Sequence, residues 1–511
     1  MTELQFFAAE IKEWKDSIRR RDQLTGDLYY LGKHDILNRQ RTIIGADGKL
    51  QTVNNLPNNR IVNNQYALMV DQKTNYLVGK PFTMNCENKA YVDLLSKVFN
   101  RRFQRLLKYV CEDALNGGIG WMYPHYDDKG RLVFQHFPAY DILPFWADDD
   151  HTILDCAIRY YTQEVWNGYQ KEKVEKVEIF KADGIYRYIY QNDMLIPDTD
   201  AVEHENYFAV VDGEESGEEF NWTEIPLIPF KYNKQELPLI NRVKTIQDGI
   251  NTMLSDFENN MQEDARNTIL ILKNYDGQDL GEFRHNLSTF GAVKVRNDGG
   301  VETLQIEINA ENYKSVLELM KKALIENARG YDAKDDRLSG NPNQMNIQSM
   351  YSDIDLDANG METEFQAAFE QLLWFINQDF SNRGKGDFDG EDIQITFDRD
   401  ILINESEAID NCSKSVGILS DETIVEQHPW TNDVELELAR LKKEKEEAME
   451  QAQEYSGAFG AGNKQNEAWV GMNNSIPTIP AIFTERGTAH EKCGVLAGPL
   501  FHSGRKRPQT K

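Results

Sequence analysis

From Met350 to Ile376 the apolar residues Met350, Ile354, Ala358, Met361, Phe365, Ala368, Leu372 and Ile376 recur at steps of three and four. An α-helix brings such positions onto one face. The spacing predicts a single helix of about 30 residues, about 45 Å long. That is longer than a small domain is wide, so the rest of the chain must be arranged around it.

The same stretch carries a competing signal. In "DIDLDANGMETE" Asp353, Asp355 and Asp357 fall at positions one, three and five of a calcium loop, and Glu364 at position twelve. An EF-hand loop needs glycine at position six, and here that position is Ala358. Ile354 and Ala358 also continue the apolar stripe without a break. The helix is therefore the stronger reading, with the acids on a solvent- or channel-facing surface and no metal bound.

Around this helix the period changes several times. Residues 3–31, 64–79 and 88–116 read as helices. "GWMYPHY", "DDKG" and "RLVFQHF" read as a β-hairpin, and β-rich sequence continues to about residue 212, as judged by alternation. The acidic "DGEESGEEF" reads as a solvated loop. Residues from Leu239 turn helical, with Val243, Ile246, Ile250, Met253, Leu254, Phe257 and Met261 on one stripe. A small α/β insert follows, in which "NDGG" reads as a hairpin turn between two strands. A second helix carries Tyr313, Val316, Leu317, Met320, Ala323 and Leu324. Two helices thus flank a compact insert. Beyond the long helix, residues 404–418 and 421–455 read as charged helices, and "GAFGAGNKQNEAW" as a linker. The pattern is α+β: a mixed body, a helical hairpin with an α/β tip, a polar loop, a long helix and a charged helical top.

Charge and motifs exclude several functions. Acidic residues outnumber basic ones 84 to 56, a net charge of -28, so a tight phosphate-gripping surface is not expected. Five dispersed cysteines point to reduced thiols, and the charged amphipathic start reads as no signal peptide. No run of 18 apolar residues occurs, so no membrane partner is expected. There is no GxxxxGK[ST] phosphate loop and no GxSxG elbow. His490, Cys493 and His502 fall short of a zinc set. Asp148, Asp149, Asp150 and His151 sit together in "WADDDHT", where a two-metal nuclease would need acids converging from separate elements. No catalytic residue and no cofactor is assigned. A metal-dependent nuclease using the Asp clusters, or a calcium-regulated scaffold, stand as alternatives.

The order of elements resembles the portal proteins of tailed bacteriophages, in the branch of siphophages of Gram-positive hosts. "NNRIVNNQYALMVDQKTNYLVGKPFTM", "FPAYDILPFWADDD" with "LDCAIRYY", and "GILSDETIVEQHPWTNDVELELARLKKEKEE" carry the likeness, which spans roughly residues 20–455.

The resemblance implies an elongated subunit of a homo-oligomeric ring, usually of twelve, at one vertex of the virion capsid. Residues 1–238 would be wing, 239–266 and 311–335 the stem helices, and 267–310 the clip. Residues 336–349 would form a tunnel loop in the DNA channel, 350–403 the wing's long helix and strand, and 404–455 the crown. Residues 456–511 lie beyond the likeness and read, from the shift in composition after Ser456, as a flexible or separately docked tail. Double-stranded DNA would pass during packaging and ejection without sequence-specific binding. The implied partners are the terminase large subunit, a head-completion or adaptor protein at the clip, and capsid and scaffolding proteins met in the host cytoplasm. In the tunnel loop Gly340 and Pro342 allow a tight turn, and Asn341, Asn343, Gln344, Asn346 and Gln348 offer transient hydrogen bonds. Met345 and Ile347 would pack between loops or touch the DNA groove. Lys314, Lys321, Lys322 and Arg329 are candidate basic residues of the channel.

Overall fold

The computed structural model describes residues 1–459 apart from 45–47, 55, 168, 211–217, 265–268, 276–280, 282–284, 286–288, 290–294, 305–309, 335–342, 400–403 and 432. Two units divide the chain, Met1–Thr431 and Asn432–Lys511. The fold is α+β.

The chain opens with α1 (Glu3–Asp16) and α2 (Ile18–Tyr30). One helix was expected here. Ser17, extended at ψ 147, ends the first and caps the second by accepting from the Arg20 amide. A short hairpin, β1 (Thr42–Ile44) with β2 (Leu50–Thr52), precedes α3 (Gln65–Val78) and β3 (Thr83–Asn85). The expected helix 88–116 is likewise two, α4 (Lys89–Val98) and α5 (Arg101–Gly117), because Asn100 caps the second.

Gly118 turns the chain out of α5 at φ +81, and a Cβ there would meet the Glu236 carbonyl oxygen at 2.0 Å. The predicted hairpin then forms as β4 (Ile119–Tyr126) and β5 (Leu132–Phe137). Asp127 closes its turn by accepting from the amides of Lys129 and Arg131. The strands β6 (Ile142–Trp146), β7 (Leu154–Asn167), β8 (Gln170–Lys181), β9 (Gly184–Gln191) and β10 (Met194–Pro197) form an antiparallel meander, with β11 (His204–Glu205) pairing beside β10 along the edge of β9 away from β8. Phe7, Ala8 and Ile11 of α1 cover its face through Ile158, Val177, Ile179 and Tyr188. A small pair, β12 (Phe208–Val210) and β13 (Glu218–Phe220), is followed by β14 (Ile228–Lys231), which pairs with β4.

Helices α6 (Ile240–Asp264) and α7 (Ala310–Ala328) pack on each other and enclose β15 (Ile269–Tyr275) and β16 (Val295–Leu304) in sequence. The "NDGG" segment is not a hairpin turn. It lies inside β16, which pairs with β15 through a register shift between Lys273 and Tyr275, and Asp298 absorbs the irregularity at φ 65.

Helix α8 (Gln344–Asn382) has 39 residues, about 58 Å at the usual rise. Its stripe is the centre of the main core, where Phe365 and Phe369 meet Phe230 of β14, and Phe82, Phe99, Phe103 and Phe397 cluster around Phe369. Strand β17 (Gln394–Thr396) pairs with β3. The helix expected over 421–455 is interrupted, because Pro429 cannot continue it. Helices α9 (Glu405–Ser415) and α10 (Asp421–Glu426) lie in the first unit, and α11 (Val434–Phe459) in the second. On α11, Arg440–Glu437 and Lys443–Glu447 make the exposed pairs expected of a solvated face.

Candidate functional site

The acids that imitated a calcium loop lie on one α-helix and separate to different partners. Asp357 points into the protein. Its Oδ2 accepts from Lys73 Nζ of α3 at 2.7 Å and from the Tyr232 hydroxyl at 2.7 Å. Its Oδ1 accepts from Arg242 of α6 at 3.0 Å and lies 3.5 Å from Arg329 at the end of α7. The Lys73 and Asp357 side chains are only 4% and 6% exposed. Burial pushes the Asp357 carboxyl up, but Lys73, Tyr232 and Arg242 outweigh it and hold it below the usual value. Burial also pulls the Lys73 ammonium down despite Asp357. One carboxylate thus joins α3, α6, α8 and the chain leaving α7.

Asp355 and Glu362 are held instead by Arg399, whose Nη2 donates to Glu362 at 2.6 Å. The Tyr76 hydroxyl also donates to Asp355, at 3.2 Å. Asp353 is exposed. The acids were expected to face solvent or a channel together. Asp357 does not, because three cations and a tyrosine compensate its burial.

The chain leaving α7 is stitched to α3. Lys73 Nζ donates to the Arg329 carbonyl at 3.0 Å, and Gln72 exchanges bonds of 2.9 and 3.0 Å with the backbone of Tyr331. Arg329 adopts φ 52, and a Cβ on Gly330 would meet Met69 Sδ at 2.6 Å. The Tyr331 ring meets Tyr351 of α8 at 4.5 Å, and Tyr351 in turn meets Tyr76. The α7 end of the connection therefore rests on α3, the helix formed by "QYALMVDQKTNYLV", and Tyr351 within α8 stacks on the same helix.

Of the tunnel-loop residues, Gly340, Asn341 and Pro342 lie outside the described residues. Asn343 caps α8 by accepting from the Asn346 amide at 2.8 Å. Gln344, Met345, Asn346, Ile347 and Gln348 are already helical, so the helix starts six residues before the expected Met350. Met345 is 77% exposed, whereas Ile347 is buried in the main core. Gln344 ties this end to α9, receiving from the Asn404 amide and donating its own amide to Glu407. Among the candidate cations, Lys314 and Lys322 lie 3.9 and 4.0 Å from Glu318 and Glu326 on α7's outside. Lys321 is half-buried, and Arg329 belongs to the Asp357 cluster.

A second feature was not anticipated from sequence. Gln247, Asn251, Ser255 and Asn259 of α6 are buried at four-residue spacing. They accept from the backbone amides of Tyr66, Asn63, Ile61 and Asn59 at 3.0, 2.9, 2.9 and 2.7 Å. A polar ladder on the helix thus stands in for a neighbouring strand and satisfies an extended arm. Asn251 also donates to His34, which burial keeps below its ordinary pKa. The signal was available as the i+4 repeat of polar residues opposite the apolar stripe.

The acids of "WADDDHT" do not converge. Asp148 accepts from the amides of Thr152 and Ile153 at 2.9 and 2.8 Å, which hold it at about 2. His151 instead bonds the buried Glu236 at 2.9 Å. Among the described residues no group of three or more potential metal ligands forms, and no helix is long and apolar enough to cross a membrane.

Comparison with known proteins places this chain among the portal proteins of tailed phages. The family model described as "Phage portal protein, SPP1 Gp6-like" matches residues 11–451, and the chain belongs to that family. It is 30% identical over 429 residues to the portal protein of Bacillus phage SPP1, across 82% of this chain and 83% of that one. It is 28% identical over 464 residues to the portal protein of Clostridium phage phiCD119, across 86% of this chain and 96% of that one.

Proposed function

We propose that the chain assembles into a ring of about twelve copies at one capsid vertex, a count taken from family likeness as an order of size. The ring conducts double-stranded DNA during packaging and ejection. It also receives the terminase large subunit and, through the 267–310 insert, a head-completion or adaptor protein. Capsid and scaffolding proteins meet it during assembly in the host cytoplasm.

Family membership carries the ring. The pinned α7–α8 connection carries the channel role. A loop that must touch moving DNA needs fixed roots and an unadhesive surface. Lys73, Gln72 and Tyr351 supply the roots, and the sequence of residues 340–346 carries no charge. Asp357 draws Arg329 toward the base of the connection at 3.5 Å. Replacing Gly340–Gln344 with a glycine-serine segment of equal length tests this. Proheads should still assemble but package or retain less DNA. Unchanged packaging would argue against a channel role for the loop.

A further inference from the structure

Helix α6 lies between two different neighbours. Its ladder residues bind the arm 59–66, while Gly249, Met253, Leu254 and Phe257 face Met320, Tyr313 and Leu317 of α7. At 3.6 residues per turn these two faces are centred roughly 150° apart. The arm and α7 therefore occupy opposite sides of α6.

Each side ends in an apolar surface without a described partner. On the arm side stands the β1–β2 hairpin, whose six strand residues are all exposed. Ile44 pairs directly with Leu50, so both point to the same face, and they are 75% and 73% exposed. A lone two-stranded hairpin is marginal in water and gains stability when such a face is covered. On the other side, Val316 and Leu319 of α7 are 44% and 66% exposed. The hairpin's root and the turn before the stripe are anchored to neighbouring residues of α6. Arg39, at the hairpin's root, bonds Asp256 at 2.7 Å, and the next residue of α6, Phe257, meets Tyr313 of α7. Val316 lies one turn further along.

We propose that the Ile44–Leu50 face of one copy docks on the Val316–Leu319 stripe of the next copy. The proposal rests on the ring reading above. A closed ring needs heterologous contacts, in which each copy offers two different surfaces on opposite sides. The hairpin and the stripe are such a pair, present once each in every copy. Within one chain α6 stands between them.

The test uses the full chain carrying Ile44→Cys and Leu319→Cys together, treated with a short bismaleimide. The expected result is a denaturing-gel ladder from dimer up to the complete ring. Each single variant, and the parent with its native cysteines, should give no ladder. Native mass spectrometry of the untreated sample is read in parallel. A ring without a ladder overturns this interface and leaves the ring reading standing. An absence of rings in the parent overturns the ring reading, and this interface with it. As a second measurement, Leu50→Asp should lower the ring fraction at least tenfold at fixed dilution, with an unchanged far-UV spectrum. An unchanged ring fraction contradicts the proposal.

Discussion

Lys73 Nζ of α3 lies 2.7 Å from Asp357 Oδ2 of α8, although 284 residues separate them. Both are buried, and the pair fixes the long helix against the segment that also holds the α7–α8 connection.

Removing one partner leaves an uncompensated buried charge. Asp357→Ala should destabilise the protein by about 3–5 kcal/mol, measured by denaturant unfolding. Lys73→Met combined with Asp357→Leu should cost less than the sum of the single changes, because the double change leaves fewer stranded charges.

The same carboxylate sets an acid limb. Its folded pKa lies below the unfolded one, so its stabilisation is fully present above the unfolded value and is lost as pH falls through the folded one. Stability measured below about pH 4 should therefore fall less steeply in Asp357→Asn than in the parent. Equal slopes would remove Asp357 from the account.

The α6 ladder replaces strand pairing for the arm. Asn251→Leu leaves the Asn63 amide without its acceptor and should cost about 1–3 kcal/mol. Hydrogen exchange at Ile61 and Asn63 should rise first, while β7 and β8 stay protected.

Gly118 has no room for a side chain. Gly118→Ala adds a strained φ to a backbone clash and should cost at least about 2 kcal/mol, read as a lowered unfolding midpoint.

The acidic stretch 353–364 should not respond to calcium. Millimolar calcium should give no binding heat by calorimetry in the parent or in Asp355→Ala. A saturable heat abolished by Asp355→Ala would restore the ion-loop reading.

Helix α8 was legible because its stripe keeps one period over many turns. Its true start was hidden because Asn343, Gln344 and Asn346 look like loop residues, although Asn343 is the cap. The breaks at Ser17 and Asn100 were missed for the same reason: a capping side chain interrupts a helix without changing the apolar spacing around it. The Asp357 cluster could not be read at all. Tyr232 and Arg242 lie 125 and 115 residues from Asp357, and spacing along the chain carries no trace of such pairings. The ladder was readable in principle, but polar residues opposite an apolar stripe usually mean a solvated face. The "NDGG" turn failed because pairing of the whole strand with β15 outweighed its local preference.

The central claim is that this chain closes into a portal ring, and the most direct test is native mass spectrometry of the purified protein with negative-stain microscopy of the same sample. The account predicts one closed assembly of defined copy number with an open central hole. A monomer or dimer at every concentration, or open filaments in place of rings, would contradict it.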